Sequence, residues 1–234
     1  MFDTNNDSSA VMSWRSADEV NSAMARVYGH MGLAVLTSMV VSYLVGTNTA
    51  LLQFFFTGVM KWIVIFAPLA AVFAIGFLME KVGKQGAQLM LHGFAALMGL
   101  SFAIIFAVFT MGSIASAFMS AAVLFFVMSA YGYFTKRSLE KIGQFMFVGL
   151  IAIIIASIVN IFIGNTVMQM VISTLAIIIF LGLTAYDTQR IREEISVDSD
   201  TGFAEIRGAL SLYLDFINIF LNLLQLFGLK NNAD

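Results

Sequence analysis

Apolar residues run through this chain in long blocks, with polar residues gathered in the short intervals between them. Read with a window of about 19 residues, the blocks predict membrane-spanning helices over residues 27–46, 59–79, 87–110, 114–134, 142–164, 166–186 and 208–228. Each is long enough, at about 1.5 Å per residue, to cross a hydrocarbon core of about 30 Å. Two joints, "TMGSIAS" at 110–116 and "IGNTV" at 163–167, leave room only for tight hairpins. The predicted class is an all-α membrane protein, a seven-transmembrane-helix bundle over residues 27–230, with a polar tail at 1–26 and a short C-terminal tail at 231–234. Within the first tail, "SADE" (Ser16 to Glu19) has the form of a capping box and predicts a short interfacial helix leading into the first span.

The last block departs from the rest because it holds an acid, Asp215, in "LYLDFINIF". A carboxylate at the centre of a spanning helix costs about 2.5 to 3.5 kcal/mol on insertion scales. That acid also lowers the hydropathy of the block, which leaves open a six-span chain with a re-entrant final segment. The polar residues here are Ser211, Asp215, Asn218, Asn222 and Gln225, spaced four, three, four and three apart. At about 100° per residue they fall in one arc of roughly 80°, and the remaining circumference is apolar. A narrow polar seam of this kind is expected to face a cavity or polar partners inside the bundle, not lipid. The bland reading of its amides is an interhelical hydrogen-bond ladder, worth about 0.6 kcal/mol per bond. A charged group is a costly substitute for asparagine if packing is the whole purpose.

A second acid, Asp187 in "GLTAYDTQRI", lies at the end of the sixth predicted span, with Ser173 and Thr184 near its face. The loop 188–207 joins that end to the seventh span, so Asp187 and Asp215 are expected at comparable depth on adjacent antiparallel helices. Two carboxylates brought together in a low-dielectric site share a proton and titrate as a unit. Such a pair suits a pH-gated latch, or a weak and transient Ca²⁺ site with Asn218, Asn222 and backbone carbonyls completing an oxygen shell.

Composition narrows the alternatives. Of 234 residues, 60% are hydrophobic and 11% charged, with a mean hydropathy of +0.91; soluble domains are roughly a quarter charged. Cysteine is absent and histidine occurs only as His30 and His92, which excludes a disulfide framework and a thiolate or imidazole zinc site. No tightly bound cofactor is expected. The net charge of −2 argues against nucleic acid as a partner. Positive residues sort by side: Arg15, Arg26, Lys81, Lys84, Lys136, Arg137, Lys141, Arg190, Arg192 and Arg207 on one, Lys61 and Lys230 on the other. Ten against two places the N-terminus in the cytoplasm and the C-terminus outside. The first 26 residues hold no apolar core of a secretory signal, so the first span is expected to serve as its own targeting element.

Three stretches, "SAYGYFTKRSLEKIG" (129–143), "GLTAYDTQRI" (182–191) and "ALSLYLDFINIFLNLLQLFG" (209–228), resemble the transmembrane BAX inhibitor motif family, in particular its bacterial inner-membrane members. The likeness in length and span pattern covers nearly the whole chain. The resemblance implies a seven-helix fold whose final helix is central and wrapped by the other six. It also implies a pH-sensitive calcium leak, with the acids matching Asp187 and Asp215 forming a di-aspartyl pH sensor at the cytoplasmic side. Some bacterial relatives carry an arginine at the inner end of the second span that locks onto the acid pair. The matching place here is Glu80, followed by Lys81, so either Lys81 takes over the latch or a third acid enriches the cation site. The family's Gly-Pro pattern between the third and fourth spans is missing.

Two rival functions follow from the same residues. Intramembrane aspartyl proteases also place one aspartate in a "YD" on the sixth helix, as in Tyr186–Asp187, and another on the seventh. Here "LYL" precedes the second acid in place of a "GxGD", and no proline follows Pro68, so an enzyme is not expected. The other rival is a membrane regulatory protein: some bacterial relatives are substrates or modulators of a membrane-anchored ATP-dependent quality-control protease, and eukaryotic ones bind cell-death regulators. The polar N-terminal tail would carry that role.

Overall fold

The structure is a computed structural model, and it describes residues 15–197 and 201–230. Helix α1 spans Ala17–Gly46, α2 Thr49–Phe56, α3 Met60–Leu78, α4 Gly83–Phe102, α5 Ile105–Val108, α6 Met111–Phe134, α7 Glu140–Ile163, α8 Thr166–Val197 and α9 Thr201–Phe227. Among the described residues, seven helical segments are long and apolar enough to cross a membrane: α1, α3, α4 with α5, α6, α7, α8 and α9. The last is one continuous helix, about 40 Å long at about 1.5 Å per residue, so the re-entrant alternative falls away.

Local chemistry sets the ends. Ser16 and Glu19 form the expected capping box, with the Ser16 hydroxyl accepting from Glu19 N–H and the Glu19 carboxylate from Ser16 N–H. It starts no separate interfacial helix; the 30-residue α1 runs unbroken through the predicted tail boundary at 26. Asn48 caps α2, which the hydropathy pattern does not predict because its eight residues are too few to span. Thr110 caps α6, and Gly164, at φ +68°, ends α7 in the left-handed region that glycine tolerates. Pro68 sits inside α3, where it cannot donate to the Val64 carbonyl one turn back. The Ser101 hydroxyl of α4 takes that carbonyl instead, at 2.6 Å.

The sixth span differs most from expectation. α8 continues eleven residues past 186, to Val197, because Ile191 and Ile195 keep an apolar face buried while Arg192, Glu193 and Glu194 occupy the other. Hydropathy registers only the lipid-crossing part of such a helix. Most of the predicted loop 188–207 thereby falls within α8 and α9.

α9 is the most buried span, and α1, α4, α6 and α8 pack directly around it. Close approach between its neighbours uses glycine: a Cβ at Gly99 would collide with the Ser38 backbone, and one at Gly132 with the Ala185 carbonyl. α3 and α7 do not complete the ring. α3 packs on α4 and α7 on α8, and both face α9 across a cleft. The last helix is therefore central but held by four helices, with two more standing off.

Candidate functional site

The cleft has a volume of about 1040 Å³ and runs from Arg190 to Gln169 along α8, a rise of about 30 Å. Its back wall is α8 and α9; α3, α4 and α7 supply the sides, mostly carbon from residues such as Leu69, Phe73, Phe94, Phe147 and Ile154. The polar side chains concentrate on the back wall.

At one end stands a closed set of contacts. Asp187, buried on α8, accepts a hydrogen bond from the Ser211 hydroxyl of α9 through Oδ2. Its Oδ1 lies 3.2 Å from Nη2 of Arg190, one turn further along α8. Arg190 also donates to Ser211 Oγ at 3.3 Å, and its guanidinium lies 5.7 Å from the centroid of the Tyr186 ring. Asp187 is thus fully engaged by groups on two helices.

Asp215 lies one turn beyond Ser211 on α9 and is 4% exposed. Its Oδ2 is buried without a hydrogen-bond partner, and the residue lines the cleft within electrostatic reach of Asp187 and Arg190. Leaving a buried acceptor unsatisfied costs about 1–3 kcal/mol, more for a charged group. Among the described residues no direct hydrogen bond joins the two carboxylates; Ser211 and Arg190 both contact Asp187. Further along α9, Asn218 and Asn222 each donate Nδ2 to the carbonyl four residues back, at 2.8 and 2.9 Å. With the nitrogens so tied, the side-chain oxygens are left for the cleft, which both residues line.

The structure therefore brings Asp187, Asp215, Ser211, Asn218 and Asn222 to one cleft. Gln225, the last residue of the seam, is exposed and does not line it. The side chain of Glu80 lies outside the described residues. Lys81, in the turn Met79–Lys81, is exposed and does not line the cleft. The cation beside the acids is Arg190, which sequence reasoning counts only as an inner-face charge. The signal is its spacing: three residues after Asp187 it sits on the same helical face, once α8 is known to continue.

Glu205 is also absent from the sequence reading. It is 1% exposed on α9 and accepts from Arg26 Nε and Nη2 of α1 at 3.0 and 2.7 Å. It falls in the stretch assigned to a loop, where an acid attracts no notice. His30 and His92 lie at the α1–α4 contact, 3.4 Å from Gln88 and Thr37 respectively, and do not line the cleft.

Residues 20–232 match the family model described as Inhibitor of apoptosis-promoting Bax1. The chain belongs to that family. Among curated members it is 38% identical over 211 residues to the inner membrane protein YbhL of Escherichia coli K12, covering 88% of this chain and 90% of that protein. It is 37% identical over 235 residues to the uncharacterized protein YrjE of Lactococcus lactis, covering 96% and 97%. It is also 36% identical over 217 residues to an uncharacterized protein of Borreliella burgdorferi, covering 91% and 94%. The family-model match takes in every helix that borders the cleft in this member of the Inhibitor of apoptosis-promoting Bax1 family.

Proposed function

We propose that the chain is a cation-permeable leak or transporter of a bacterial inner membrane, with Ca²⁺ as the permeant ion and the Asp187–Asp215 pair as its pH-sensitive gate. The observation that carries this reading is the Asp215 oxygen, buried without a partner on the wall of a cleft nearly as long as the bilayer core is thick. An intramembrane acid is expensive, and an unpaired one stabilises no packing contact. A cation arriving in the cleft supplies the missing counter-charge. Asn218 and Asn222 offer neutral oxygens further along, which lets an ion leave as well as enter.

Asp187, Ser211 and Arg190 form the latch. Arg190 satisfies one acid of the two; as pH rises and Asp215 ionises, Asp215 competes with Asp187 for Arg190, and release of Arg190 from Asp187 opens the polar end of the cleft. Protons and cations compete for Asp215, so the apparent affinity for Ca²⁺ falls as pH falls. Among the described residues no three Asp, Glu or His side chains gather at one place. Two carboxylates with amide oxygens make a weak, transient site, suited to passage and not storage. The distribution of Lys and Arg supports a cytoplasmic N-terminus, and the name of the Escherichia coli relative supports the inner membrane.

The test is Ca²⁺ entry into sealed liposomes holding the purified chain, from pH 5 to 8, beside protein carrying Asp215→Asn. We expect flux that rises with pH in the wild type and loses that dependence in the variant. Folded protein that passes no Ca²⁺ at any pH overturns the reading and moves the role to binding of a membrane partner, such as a quality-control protease.

A further inference from the structure

The same cleft has a feature that an inorganic ion path does not need. Among the described residues α3 and α7, its two outer walls, make no substantial contact with each other, so it opens sideways between them. Leu69 and Phe73 on α3 and Phe147 and Ile154 on α7 line the cleft and are each at least half exposed to the surroundings. They flank a mouth that faces the acyl-chain region of the bilayer. A membrane-dissolved molecule reaches Asp215 through that mouth without crossing an aqueous phase.

The geometry points to a second ligand class for this site: a single-chain amphiphile with a protonated amine head, entering laterally from the bilayer and pairing its ammonium with Asp215. Three properties select it. The side walls are mostly carbon, with Gln144 and Ser157 of α7 the polar exceptions, and about 1040 Å³ is at the upper end of the size of a small-molecule pocket. With both acids ionised, Asp187 and Asp215 against the single Arg190 leave the lining a formal charge of −1, which repels phosphate and carboxylate heads. A neutral hydroxyl head can donate to the unpartnered Asp215 oxygen but brings no counter-charge, whereas an ammonium supplies both. Asn218, one turn on, offers a second acceptor.

The probe is a twelve-carbon amine carrying a diazirine at the chain end, photolysed with the full-length chain in phosphatidylcholine liposomes, beside the matching alcohol. We expect label on α3 and α7 peptides from the amine, displaced by dodecylamine and not by dodecanol. Asp215→Asn should lower it roughly tenfold or more, the loss of one charge-assisted hydrogen bond. Asp215→Glu, which keeps the charge, should retain it and controls for misfolding. Equal labelling by amine and alcohol, or no change in Asp215→Asn, overturns the inference.

The inference rests on Asp215 as a cation site, yet it fails separately from the ion path. Ca²⁺ flux without amine-specific label removes the amphiphile alone. Amine-specific label in protein that passes no Ca²⁺ supports the amphiphile and removes the ion path.

Discussion

Two buried acids on α9, Glu205 and Asp215, are treated in opposite ways. Glu205 faces α1, and the Arg26 guanidinium grips one of its oxygens with two donors. Asp215 faces the cleft, lies about 15 Å further along the same helix, and has no hydrogen-bonded cation. Each leaves one carboxylate oxygen without a partner, so the difference is the counter-charge. An acid with its cation supplied in the fold holds two helices together. An acid without one is, under the proposed function, completed by a cation that comes and goes. Burial alone does not separate the two kinds, since Glu205 is 1% exposed and Asp215 4%.

The comparison breaks first at Arg26. Arg26→Ala leaves Glu205 buried with no cation, and removing one partner of a buried pair costs about 3–5 kcal/mol. The lower figure applies, about 3 kcal/mol, because the Arg26 side chain is 51% exposed and water screens it. The readout is the unfolding free energy in a reversible SDS titration; a loss below about 1 kcal/mol would make Glu205 as free as Asp215 and erase the contrast. Glu205→Gln should cost less, about 1 kcal/mol, since the amide keeps the volume and one acceptor while Arg26 turns to solvent. The same titration reads it, and a loss equal to that of Arg26→Ala would mean that the carboxylate does more than pair with Arg26.

Only the Asp215 side of this contrast is legible in the sequence. Hydropathy and the spacing of polar residues on the last helix placed the seven spans and brought Asp215, Ser211, Asn218 and Asn222 to one face, because lipid enforces helices and a 3.6-residue period orders their faces. Three things were not visible. Glu205 was hidden because hydropathy marks where a helix crosses lipid and not where it is buried by protein, so α8 and α9 each extend beyond their apolar blocks. Arg190 was hidden behind the same boundary. The standing-off of α3 and α7 leaves little trace in one sequence: apart from Gln144 and Ser157 of α7, the cleft-facing residues on those helices are as apolar as the lipid-facing ones, as Phe73 and Phe147 are. Gln225 shows the converse, a residue in phase with the seam that lies past the end of the cleft.

The smallest stability effect belongs to Asp215→Asn, and it sharpens the comparison most. The substitution keeps volume and shape while removing the charge. No hydrogen bond from the protein to the free oxygen is lost, because none is made. Relief of an uncompensated buried charge acts in the stabilising direction. The variant should therefore unfold within about 1 kcal/mol of the wild type, on the stable side, in the SDS titration that shows the large loss for Arg26→Ala. A drop of about 2 kcal/mol or more would place Asp215 with Glu205 as a structural acid, and the cleft would then need another group to draw a cation in. A stable variant whose Ca²⁺ flux no longer responds to pH separates the two acids by function as the structure separates them by partner.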